Sequence, residues 1–480
     1  MTRAGHLLPD RRLVSAAMLG VASGAILVPL NSTMLAVALP DVMGEFALGA
    51  NAVSSLVTLY LGAVAVAVPA GGAIGDRYGH RRTFVTGVLL FAGASALAVV
   101  ARSFELLEVA RVVQAVAGAL IATSAAALIR ETSPADRQGE AFGLFDLLVS
   151  TSAAVGPFIG GLLVGAFGWR SLFLLAVPLG IVAAAFVGLA LRPSGPEAAH
   201  SRGRGAIDVT GLALLGLTIV AFLVALRAPG EPIGIAAALA VLPLAALFVA
   251  LELRAERPAV DPRLLMQKPF AAAALGVLGS TVILHGSFIL VPLAVEELLG
   301  ESATTSGIVL LGLAGIGAAL APFGGRLSDR RGRRLVVVTG ALISAVGLAA
   351  LGLPAGAASA ISIAVLLGVV GFGNGLTSPR QAAAMETVAR DRLGMAAGTY
   401  YTARYLGGVI GASLAGTILG ARVTAQGVST GFAVLAVVGV AVAVVSLGLP
   451  GRPPKADAAD ATGEPGATGT GRPGGLLPFR

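Results

Sequence analysis

The chain has 480 residues, of which 56% are hydrophobic and only 12% charged, with a mean hydropathy of +0.89. A soluble protein carries roughly a quarter charged residues, and a domain with so few could not cover its own surface. There is no cysteine, which excludes a disulfide framework, a thiolate nucleophile and a thiolate metal site.

Taken in chain order, stretches of at least 17 residues without Asp, Glu, Lys or Arg run over 13–40, 46–75, 83–101, 112–129, 147–169, 171–191, 209–226, 232–251, 269–295, 302–325, 335–379, 405–421 and 423–451. A helix that crosses a bilayer needs about 20 mainly apolar residues. The run 335–379 is too long for one helix, and Pro354 with Gly356 breaks it near its middle. Fourteen spans are therefore predicted, and with them an all-α polytopic membrane protein. The first stretch follows Arg11 and Arg12 but contains Asn31, Ser32 and Thr33 and precedes many more spans, so it is read as an uncleaved helix rather than a secretory signal. The segment 193–206 reads as a cytoplasmic linker, and the Gly-, Pro- and Ala-rich tail 451–480 as disordered.

Placing the N-terminus inside puts 27 basic residues in inner segments and four, Arg102, Arg170, Arg227 and Arg422, in outer loops. Arg111 and Arg404 fall within spans. Cytoplasmic loops carry an excess of Lys and Arg, so both termini are expected in the cytoplasm, with the chain in the inner (cytoplasmic) membrane. The net charge of +8 then reports topology and gives no support to nucleic-acid binding.

One sequence occurs twice. Residues 71–87 read GGAIGDRYGHRRTFVTG and 324–340 read GGRLSDRRGRRLVVVTG, identical at nine of 17 positions. Two homologous halves in parallel orientation follow. The spacing between the copies is that of seven to eight helices, so an extra pair is expected between six-helix halves. The resulting division is a cytoplasmic N-terminus over 1–12, a first half over 13–192, the linker, two extra helices over 207–254, a second half over 269–450 and the tail.

At Gly72-x-x-x-Asp76-Arg77-x-Gly79-x-Arg81-Arg82 the chain resembles the major facilitator superfamily, whose signature loop joins helices 2 and 3. Gly325, Asp329, Arg330, Gly332 and Arg334 repeat it in the second half. A carboxylate there can pair with arginines or accept from a helix N-terminus, which makes a latch that one conformation holds and another breaks. The stretch Leu30 to Pro40, Arg111-x-x-Gln114-x-x-x-Gly118, Gly156-Pro157-x-x-Gly160-Gly161, Trp169-Arg170 and Gly407-Gly408-x-x-Gly411 narrow the likeness to the 14-helix drug:proton antiporter branch. The resemblance implies proton-driven efflux of a small drug- or antibiotic-like compound by alternating access. It also implies a monomer in the lipid bilayer with no cofactor, no metal and no nucleic-acid partner. Two departures bear on the substrate: the acidic residue expected in helix 1 is Asn31, and the Asn usual in the helix-6 motif is Ala176.

A charge at membrane depth costs several kcal/mol unless paired or hydrated, so each one points to function. Asp146, about 10 Å into helix 5 at 1.5 Å per residue, is the carboxylate expected to load and release the proton, the alternative being a carboxylate at the helix's inner end that reaches the cytoplasm. Arg111 lies within helix 4 with Glu108 one turn before it. The two either form a static pair, or Arg111 tunes a carboxylate or meets substrate. His285, midway along span 9, is either a packing residue or a further proton carrier. Asn31, Tyr60, Gln114, Asn374 and Arg404 are the polar groups expected to line a substrate cavity, with interhelical hydrogen bonding as the alternative. Gly156, Pro157, Gly160 and Gly161 form the antiporter motif, a kinked small-residue face on which helices can rock.

Other classes fit less well. A channel needs no titratable carboxylate in its path. A membrane-embedded enzyme needs paired carboxylates or a His-Glu-x-x-His zinc site, and an ATP-driven pump needs a phosphate loop; the sequence has none of these motifs. A proton-coupled importer or facilitator is the second reading.

Overall fold

The computed structural model describes residues 11–132, 138–190, 208–228, 230–255, 258, 260–353, 359–386, 388 and 393–451. The proposed break at Pro354, the linker 193–206, the first ten residues and the tail from 452 lie outside them. Among the described residues are fourteen long helices and no strand. They are α1 (Arg11–Met34), α2 (Ser55–Tyr78), α3 (His80–Val99), α4 (Phe104–Thr132), α5 (Gln138–Phe167), α6 (Arg170–Ala190) and α7 (Val209–Arg227). The remainder are α8 (Pro232–Glu252), α9 (Lys268–Leu293), α10 (Ala303–Arg331), α11 (Arg333–Leu351), α12 (Ala360–Leu376), α13 (Leu393–Leu419) and α14 (Ala425–Ser446). Thirteen are long and apolar enough to cross a membrane, and α13, which carries Arg404 and Tyr400, Tyr401 and Tyr405 in its first half, is the one outside that set.

Local chemistry sets the helix ends. Ser302, Ser359 and Thr424 cap α10, α12 and α14 by accepting from the backbone N–H three residues on. Gly79 and Gly332, each at φ +91°, end α2 and α10 in a conformation that side chains with a Cβ rarely adopt. The first span is longer than expected. At Met34 it tightens into a 3₁₀ turn, Leu35–Ala38, and resumes as Leu39–Glu45. Pro40 explains the change, because it has no N–H to close an α-helical bond and its ring crowds the turn before it.

Helices α1 to α6 pack on one another, as do α9 to α14. Two seams join these sets, α5 against α10 and α2 against α13. Helices α7 and α8 pair with each other, and α7 packs against α2 and α13. Only 17% of the apolar window of α7 and 6% of that of α8 is buried. Large side chains such as Leu239, Leu242, Ile361, Val437 and Leu189 stand exposed around the bundle. In water such a belt would drive aggregation, whereas acyl chains solvate it at no cost.

Candidate functional site

Arg111 is the largest fully buried side chain among the described residues. Its Nη1 donates to Asn31 Oδ1 and to Gln114 Oε1, each at 2.9 Å, and its Nε to the Leu56 carbonyl at 3.4 Å. The guanidinium stacks on the Tyr60 ring, 4.1 Å from its centroid. Gln114 Nε2 passes the network on to Ser95 Oγ at 2.7 Å, and Asn31 Nδ2 donates to the Leu172 carbonyl at 3.4 Å. Four sequence-selected residues thus meet in one cluster between α1, α2 and α4. Each acceptor is neutral, so these bonds solvate the charge without cancelling it. Glu108 accepts from Ser55 Oγ, and the hydrogen bonds of Arg111 go elsewhere. The Tyr60 hydroxyl is buried without a hydrogen-bond partner.

The second half holds the other selected groups at separate places. His285 Nδ1 lies 3.1 Å from the Thr281 carbonyl, and its ring meets Phe288 edge-on. Arg404 is exposed, and its backbone carbonyl accepts from Thr281 Oγ1 at 2.8 Å. Asn374 lines a small cavity with Ser280, Ser344 and Thr377, walled by Leu284, Leu313 and Val442. Asp146 sits on the α5 backbone, and its side chain lies outside the described residues.

One basic residue departs from expectation. Arg380, counted among the charges of an inner loop, is only 2% exposed. After α12 a tight turn through Thr377–Pro379 leads straight into a short helix, Arg380–Met385, which prolongs the span and packs against α9 and α13, so the guanidinium stays within the bundle rather than in the loop. Hydropathy could not place it, because a charge following an apolar run ends the run whichever way the chain then turns.

The antiporter motif is a packing face. A methyl on Gly160 would stand 2.9 Å from the Met34 carbonyl oxygen, and one on Gly161 would stand 2.5 Å from that of Ala303. Gly156 lies against Thr33, and Thr304 Oγ1 donates to the Gly161 carbonyl at 3.1 Å. Helix α13 repeats the arrangement. Gly407 and Gly411 meet α9 at Leu278 and Val282, while Gly408 and Gly416 meet α2 at Leu61 and Ser54. Each of the two helices therefore grips the first helix of its own half and the second helix of the other. Asn51 N–H donates to the Gly420 carbonyl at 3.2 Å, which closes the α2–α13 seam at the end away from the signature loops.

The signature loops make their contacts inside their own halves. Asp76 pairs with His80 Nε2 at 3.2 Å, Arg81 Nη2 donates to the Gly188 carbonyl at 2.6 Å, and Arg77 and Arg82 are exposed. In the second copy Arg334 Nε donates to the Leu449 carbonyl at 2.8 Å, Asp329 and Arg330 are exposed, and Arg333 engages Glu386 through both terminal nitrogens. Gly72 and Gly325 have open space around them. Sequence reasoning overlooked His80, Arg333 and Glu386. His80 and Arg333 occupy the same position of the repeat, the signal that pointed to them.

Comparison with known proteins agrees with this architecture. The family model described as Major Facilitator Superfamily matches residues 21–412 and 270–475. The MFS-type transporter YvkA of Bacillus subtilis (strain 168) is 31% identical over 429 residues, covering 89% of this chain and 94% of that protein. The tetracenomycin C resistance and export protein of Streptomyces glaucescens is 31% identical over 414 residues, covering 85% and 76%. A crystal structure of a POT family transporter in complex with 5-aminolevulinic acid superposes with a TM-score of 0.66 over 90% of this chain and 95% of that one; at 16% identity the likeness is one of fold.

Proposed function

The chain belongs to the Major Facilitator Superfamily, and on that premise we propose that it is a proton-driven exporter of a small drug- or antibiotic-like organic compound, working by alternating access in the cytoplasmic membrane. The observation that carries the reading is the pair of glycine seams, α5–α10 and α2–α13. Both are closed at the end away from the signature loops, while among the described residues the loops bond within their own halves. With both termini in the cytoplasm, as the distribution of basic residues supports, this is a state closed to the outside. Small residues suit such seams because backbone-to-backbone contact separates and re-forms without repacking large side chains.

In this reading Asp146 takes up the proton that drives export, with Glu108 and His285 as further titratable groups on the path and Arg111 as the charge that biases them. Asn31, Tyr60, Gln114, Asn374 and Arg404 face the compound as it crosses. Asp76 and Asp329 hold the opposite state, in which the loops bridge the halves. Proteoliposomes given an imposed pH gradient test the whole proposal. Substrate movement against its gradient, in exchange for protons and collapsed by a protonophore, is expected; movement with the proton gradient in the same direction supports an importer instead. Since the chain lacks cysteine, single cysteines at the exposed Tyr78 and Leu353 report sidedness without background. An impermeant maleimide applied outside intact cells is expected to label Leu353→Cys and spare Tyr78→Cys.

A further inference from the structure

Arg380 is buried on every side yet only partly satisfied. Its Nη1 donates to the Gly276 carbonyl at 2.7 Å and to Ser280 Oγ at 2.8 Å, while Nε and Nη2 are buried with no hydrogen-bond partner. A guanidinium presents five N–H donors and cannot shed its proton, so an unpaired one withdrawn from water costs several kcal/mol. Glu386, six residues on, is taken by Arg333. The contact is built for closeness: a methyl on Gly276 would stand 2.6 Å from Arg380 Nε, so only glycine lets α9 come this near. Ser280 belongs at once to Arg380 and to the cavity bounded by Ser344, Asn374 and Thr377. The lining of that cavity holds hydroxyl and amide groups and no carboxylate.

We propose that Arg380 and Ser280 form an anion-recognising subsite at this cavity, and that the compound carried presents a carboxylate to it. The inference deepens the exporter reading and rests on it. A carboxylate has two acceptor oxygens matching the guanidinium fork, and pairing with it supplies the partners that Nε and Nη2 lack. The Ser280 hydroxyl, already accepting from Arg380, has its own proton to donate. An uncharged amide of the same shape leaves the arginine uncompensated, which is how a buried polar site rejects an analogue.

The test is binding of a matched pair, 2-naphthoate and 2-naphthamide, to the purified full-length protein in detergent near neutral pH with no gradient present. The acid is expected to bind about tenfold or more tightly than the amide, since hydrogen bonds to charged groups contribute at that level. In Arg380→Gln the ratio is expected to fall to near one with amide binding retained, in Arg380→Lys to an intermediate value, and in Ser280→Ala by about threefold, the effect of one weakened hydrogen bond. Equal binding of the pair by the native protein overturns the subsite. So does a ratio left unchanged by Arg380→Gln or, if that variant does not purify as a single species, by both Arg380→Lys and Ser280→Ala. Because no gradient is used, an intact acid preference alongside failed proton-driven transport would count against the exporter reading alone.

Discussion

The guanidinium of Arg111 lies over the ring of Tyr60, its Cζ 4.1 Å from the centroid, with both side chains buried. This contact ties α4 to α2 at the depth where Asn31 reaches in from α1. A lysine keeps the charge but has neither the plane to stack nor the fork to bridge Asn31 and Gln114. Arg111→Lys is expected to cost about 2 kcal/mol of stability, the scale of a desolvated cation–π contact, and to slow efflux roughly tenfold. Thermal unfolding in detergent and initial efflux rates read the two effects. Unchanged values in both would mean that the contact carries neither stability nor transport.

Asn31 stands where the resemblance to the antiporter branch leads one to expect an acid, and its Oδ1 already accepts from Arg111 Nη1 at 2.9 Å. Asn31→Asp therefore places a carboxylate directly on the guanidinium and makes an ion pair at low dielectric. The variant is expected to melt higher than the native protein and to lose efflux of acidic probes, because the positive end of the cluster is then cancelled. A lower melting point would show that the added charge finds no pairing there.

The seams predict a conformational effect. The carbonyl of Ala303 leaves no room for a side chain at Gly161, and overpacking of this kind costs about 1–3 kcal/mol. Gly161→Leu should shift the protein toward the state in which α5 and α10 separate. Ser54, buried against Gly416 in the other seam, is the reporter. A cysteine at Ser54 is expected to resist labelling in the native background and to react several times faster alongside Gly161→Leu. Equal rates would mean that the two seams open independently.

Asp76 pairs with His80 in the state seen here, so losing its charge removes little from this conformation. It should weaken the opposite one, in which the loop bridges the halves. Asp76→Asn is expected to slow transport several-fold while leaving expression and melting temperature near native, and Asp329→Asn to do less. A fully active Asp76→Asn variant would falsify the latch.

The proposed function assigns proton coupling to Asp146. Asp146→Asn keeps the shape but cannot ionise, so gradient-driven uptake into inverted vesicles is expected to vanish while substrate binding survives. Binding to the native protein should weaken as pH falls, because proton and substrate favour different states, and that slope should flatten in the variant. Full antiport by the variant would move the role to Glu108 or His285.

Much of this molecule was legible in the chain alone, because a bilayer imposes a one-dimensional code. Each span must satisfy its own backbone and stay apolar for about 20 residues, so helix number and limits follow from charge-free runs, and duplicated loops such as Gly72–Arg82 and Gly325–Arg334 disclose the repeat. Asn31, Tyr60, Arg111 and Gln114 stood out for the same reason, as polar groups where polarity is costly. Which of them touch was settled only by tertiary packing, since Glu108, one turn from Arg111 on the same helix, turns to Ser55 while Asn31, 80 positions away, takes the arginine. Arg380 marks the limit most clearly. In sequence it is one more basic residue after a span, indistinguishable from a topogenic charge. Only the continuation of the α12 span past Pro379 as Arg380–Met385, and the bare backbone of Gly276 facing it, keep it inside the bundle, because burial is a property of what neighbouring helices leave room for.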